Sequence, residues 1–62
     1  RMARPTEFNQ AALSEGRLAR LDGFVAYKAN PYERGTLLWW SFNEGWMQVN
    51  NDPDAPKAEV RE

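Results

Sequence analysis

A chain of 62 residues makes one domain at most, and at that length it buries only a little over half of its unfolded surface. Cysteine and histidine are both absent, which excludes disulfides and removes the usual zinc ligands, so no metal and no cofactor are expected. With a net charge of −1, the chain is less basic than dedicated nucleic-acid binders, and three Trp, three Phe and two Tyr must stabilise it by burial or by association.

Charge is unevenly placed. Residues 1–36 carry six cationic and four anionic side chains, whereas residues 37–62 carry two and five. No run approaches the roughly eighteen apolar residues of a membrane span, so no membrane association is expected. The amino end, Arg1-Met2-Ala3-Arg4-Pro5, has no apolar stretch behind it; it reads as a trimmed start rather than a signal peptide. The expected location is the cytoplasm, in keeping with the lack of cysteine.

The first helix is predicted from Thr6, whose hydroxyl can cap the free amides of a first turn, with Glu7 favourably placed against the dipole. At about 100° per residue, Phe8, Ala12, Gly16, Ala19 and Gly23 gather on one narrow face. Glycine in a helix interior costs about 1 kcal/mol relative to alanine, so this stripe predicts the close approach of something bulky. The helix is expected to end near Gly23, with Arg17 and Arg20 projecting from the sides of the stripe.

Next comes a compact Asn-Pro-Tyr turn over residues 30–35. Asn30 is the expected cap of a single helical turn, Pro31 its first residue, Glu33 the capping-box partner and Gly35 the stop. Thr36 then caps a second helix predicted from Leu37 to about Asn50. Leu38, Trp39, Phe42, Gly45, Trp46 and Val49 share one face of it; Trp40 and Met47 form a flanking stripe, and Ser41, Glu44 and Gln48 point away. Residues 51–62 have no periodicity and two prolines, and are expected to be a disordered acidic tail. The predicted fold is therefore all-α: a two-helix αα-hairpin over residues 1–50, in which a groove floored by Gly16 and Ala19 takes rings from Trp39, Phe42 and Trp46.

Taken together, the small-residue series Ala12, Gly16, Ala19 and Gly23, then Pro31-Tyr32, then Gly45-Trp46, resembles the ribosome modulation factor family. Those are short bacterial, plasmid and phage proteins with two helices around a Cys-Pro-Tyr or Asn-Pro-Tyr linker. The resemblance spans residues 11–47, with Phe42 where the family commonly has Trp and Asn30 where its founders have Cys. It implies a two-helix fold and a function: binding the ribosome in stationary phase, contacting ribosomal RNA and promoting the pairing of inactive ribosomes. Founders are strongly basic at the amino end, where this chain has Arg1 and Arg4. Some plasmid and phage members are proposed drug-modifying enzymes, an analogy that no residue here supports.

The candidate RNA or ribosome contacts are Arg17, Arg20, Lys28, Tyr32 and Arg34 around the turn. The alternative is a solvated surface on which Glu15, Asp22 and Glu33 pair locally with those cations. Tyr32 is expected to pack its ring under the turn, and Trp39, Phe42 and Trp46 to form core rather than a base-stacking platform. Leu37, Trp40 and Met47 are the candidate partner or homodimer surface, because aromatics and Met are enriched where proteins meet. Catalysis has no foothold. Ser14 and Ser41 lack a base, the carboxylates form no evident pair, and no Gly-rich phosphate loop follows a strand. The expected function is a small non-enzymatic ribosome-associated or RNA-associated regulator; the alternative is a protein–protein adaptor or homodimeric module without RNA binding.

Overall fold

The computed structural model describes residues 5–61; Arg1 and Arg4, the cations of the amino end, lie outside the described residues, as does Glu62. Helix α1 spans Gln10–Leu21, a single turn α2 spans Ala26–Ala29, and α3 spans Leu37–Asn50. The all-α class is as the sequence predicts, while α2 is an element the periodicity did not announce.

Helix α1 starts later than Thr6. Asn9 is the cap, its Oδ1 accepting from the Ala12 amide at 2.9 Å. The Asn9 amide in turn donates to Ser41 Oγ at 2.8 Å, which fixes the start of α1 against α3. At the other end Gly23 has φ 86°, the Gly23 amide donates to Arg20 O, and the Phe24 amide reaches back to Ala19 O, each at 3.0 Å. This is a Schellman termination at the glycine expected to stop the helix. The predicted turn of helix after Pro31 does not form. Asn30 closes α2 and accepts from the Tyr32 amide at 3.1 Å, and Glu33 to Thr36 make a turn with Gly35 at φ 87°. Helix α3 has the predicted limits, and Thr36 Oγ1 caps it through the Trp39 amide at 3.2 Å.

The expected hairpin is replaced by a different arrangement. Asn9 meets Ser41, Arg17 bonds Gln48 and Arg20 bonds Asn50, so the pairs advance in the same sense along both helices. A short turn joins antiparallel neighbours; here residues 22–36 form a return segment that carries the chain back to the start of α3. Phe24 O accepts from Trp46 Nε1 at 2.8 Å, and Asn30 reaches Trp39 O and Asn43, so that segment runs back along α3.

At the crossing, a glycine of each helix faces the backbone of the other helix. A Cβ on Gly16 would collide with Phe42 O and one on Gly45 with Leu13 O. Gly16 therefore receives a helix backbone, not the aromatic rings expected in its groove. Ala12 and Gly16 on α1 oppose Ser41 and Gly45 on α3, two small-residue pairs at a four-residue spacing. Ser41, expected to face outward, is fully buried: its hydroxyl donates to Leu37 O at 2.8 Å while accepting from Asn9, so the close contact leaves no orphaned polar group. Around this contact the buried apolar side chains of the described residues are Ala12, Leu13 and Phe42.

The tail also departs from expectation. Its described part, to Arg61, lies along the end of α1. The Ala58 amide donates to Leu21 O at 2.8 Å, the Arg61 amide to Gly23 O at 3.0 Å, and Phe24 and Arg61 form a parallel bridge. These are main-chain bonds, which leave no pattern of side chains for a sequence reading to find.

Candidate functional site

Between the return segment and α3 lies an open concavity of about 490 Å³. The rings of Tyr27 and Tyr32 come to it from the return segment, those of Trp39 and Trp46 from α3, two turns apart. Arg34 stands at its edge, exposed, and makes no hydrogen bond or ion pair among the described residues. The result is an aromatic cup with one unengaged cation.

Asn30 organises its wall. The Asn30 Oδ1 accepts from the Tyr32 amide at 3.1 Å, while its Nδ2 donates to Trp39 O at 3.2 Å and to Asn43 Oδ1 at 3.1 Å. A backbone donor and a backbone acceptor thus settle which end of the Asn30 amide is which. Tyr32 is held from two sides. Its ring meets Phe42 edge-on, with centroids 6.5 Å apart at 66°, and its hydroxyl donates to the Glu15 carboxylate. That hydrogen bond, helped by desolvation and by the carboxylate's charge, raises the phenol pKa above its ordinary value.

The five predicted RNA contacts do not form one patch. Tyr32 and Arg34 share the cup, and Lys28 lines a neighbouring groove of about 430 Å³ with Phe24 and Phe42. Arg17 is turned to α3, donating to Gln48 Oε1 at 3.0 and 2.6 Å. Arg20 is not available to a partner at all: it is 6 % exposed. Its guanidinium donates to Asn50 Oδ1 at 2.8 Å and Ala58 O at 2.6 Å and lies over the Trp46 ring at 5.6 Å. The same-sense packing explains this, because it brings the end of α1 against the end of α3 and the tail.

Of the expected partner surface, Trp40 and Met47 are brought together in a concavity of about 370 Å³ that shares Asn43 and Met47 with the cup, while Leu37 is exposed nearby in sequence but does not line it. Trp40 packs edge-on against Trp39 at 5.0 Å, and its Nε1 is buried with no hydrogen-bond partner.

The sequence reading missed Tyr27, Asn30 and Asn43 as wall residues, and it placed Trp39 and Trp46 in the core. Trp39, Asn43 and Trp46 recur at i, i+4 and i+7, which is one helix face, and a polar residue between two tryptophans was the available signal. Among the described residues, no cluster of three or more acidic, His or Cys side chains is placed to hold a metal, and no helix is long and apolar enough to cross a membrane. Neither family models, nor curated proteins, nor solved structures give a match to this chain.

Proposed function

We propose that this chain is a small non-enzymatic regulator that acts by occupying RNA, of the ribosome-associated kind its resemblance to ribosome modulation factors implies, and that the aromatic cup is where it does so. The supporting observation is the convergence of four rings and the unengaged Arg34 on one open concavity. Bases stacking on aromatic side chains gain about 1–3 kcal/mol each, and a guanidinium beside them takes the phosphate. Such a contact needs little net positive charge, which suits a chain of net −1. With one or two phosphates neutralised, affinity falls only shallowly with salt, by about 0.7 in log–log slope for each contact.

The test is sucrose-gradient sedimentation of the tagged protein with ribosomes at low and moderate salt. Co-migration that Arg34→Glu disperses, while Arg17→Glu does not, is the expected result. Protein confined to the light fractions at both salts overturns the proposal.

A second reading, an adaptor or homodimer through Trp40 and Met47, has its own support in the concavity of about 370 Å³ that these two residues line and in the 45 % exposure of Met47. A partner's apolar side chain would fill the first and cover the second.

A further inference from the structure

The cup carries information about which base it takes, an inference that rests on the RNA reading above. Asn43 stands on its wall with Oδ1 committed to Asn30 Nδ2 at 3.1 Å. An isolated asparagine can turn over and offer either end. This one cannot, because Asn30 itself has no freedom: Tyr32 N–H demands an oxygen and Trp39 C=O demands an N–H. The order of donors is therefore fixed from the backbone outward through Asn30 to Asn43. Asn43 is left with its Nδ2 donors, and these have no partner among the described residues. Arg34 and the Trp39 indole N–H, unengaged polar groups of the same cup, are also donors only.

We propose that Asn43 makes the cup selective for bases that present a carbonyl on the edge facing it, O4 of uracil or O6 of guanine, over those that present an amine there, N4 of cytosine or N6 of adenine. With the base stacked against the rings, Asn43 Nδ2 donates to the carbonyl and Arg34 meets the adjoining phosphate. Cytosine in the same position sets a donor against a donor, so one hydrogen bond is lost and an N–H on each side is left unsatisfied. Asn30 touches no ligand in this scheme. It is a positioning residue, acting by denying Asn43 its other orientation.

The experiment is a tryptophan-fluorescence titration of the full chain with oligouridylate and oligocytidylate of equal length. Wild type should bind the uridylate about tenfold more tightly, the size of one hydrogen bond gained against one unsatisfied. Asn43→Asp keeps an oxygen for Asn30 and turns a second oxygen to the base. Its added charge weakens both ligands, and the uridylate-to-cytidylate ratio should fall to one or invert. Asn30→Ala should lower the ratio by releasing Asn43, with binding retained. Equal affinity of wild type for the two oligomers, with binding intact, overturns the selectivity and leaves the RNA reading standing. Failure of both to bind overturns the RNA reading and the selectivity with it.

Discussion

Gly16 and Gly45 are helix-interior glycines that act against their own propensity. Replacing such a residue by alanine ordinarily stabilises a helix by about 1 kcal/mol. Here the added methyl would enter the carbonyl of Phe42 or of Leu13, and neither backbone can move without parting the helices. The sign therefore reverses. Gly16→Ala and Gly45→Ala should each lower stability by about 1–3 kcal/mol, the usual cost of forcing extra volume into a packed contact. Urea denaturation followed by tryptophan fluorescence measures this, and a raised midpoint for either variant would show that the helices are farther apart than described. The close approach at Gly16 was readable from the sequence as part of a small-residue stripe, although Gly23, read as part of the same stripe, serves to end the helix. The counterpart on α3 was not readable. Ser41 has the polarity of a surface residue, and only the bonds to Asn9 and Leu37 make its burial tolerable. Arg20 misled for the same reason: a charged side chain at the edge of a stripe reads as outward until the elements that bury it are in place.

Capping chemistry and hydrophobic spacing are local, so α3 was found at its observed limits from Thr36 and its apolar face. The relative sense of α1 and α3 is a property of the connection, and a Pro-Tyr turn suggested a short one; α2, at four residues, was too brief for periodicity to register. The tail was the largest departure at this scale. Its attachment consists of two amide-to-carbonyl bonds and the Arg20 guanidinium on Ala58 O, none of which depends on which side chains the tail carries. Such a strap has a distinctive signature in amide hydrogen exchange. The Ala58 and Arg61 amides should exchange more slowly than those of Glu59 and Val60, which no described group accepts. Arg20→Met should erase the protection at Ala58, because it removes the donor that holds the Ala58 carbonyl in place. Uniformly fast exchange over residues 57–61, as expected of a disordered tail, would dismiss the strap.

For the molecule as a whole, three buried apolar side chains make a thin interior, and the large apolar residues it leaves outside are correspondingly prominent. Tyr27 and Phe24 stand on the return segment, whereas Leu37 and Met47 stand on α3, 49 % and 45 % exposed. The composition foretold this tension between many aromatics and little volume, but not how the rings would be divided: Phe42 inside, Trp39 and Trp46 on the cup, Trp40 behind it. Trp40 concentrates the problem, since an indole N–H removed from water without an acceptor costs about 1–3 kcal/mol. Trp40→Phe deletes that N–H and keeps most of the ring, so in a chain that works alone it should leave stability unchanged or raise it. If instead a second copy covers this face, the wild-type melting temperature should rise with protein concentration, and Met47→Glu should weaken that dependence. Met47→Glu separates the two cases without touching the core: it places a charge on the exposed stripe, and the helical circular dichroism should persist. A dimer through this face requires that the variant sediment at half the wild-type mass. Equal masses for the two, both monomeric, would remove self-association and leave Trp40 as an indole that the fold tolerates for its packing against Trp39.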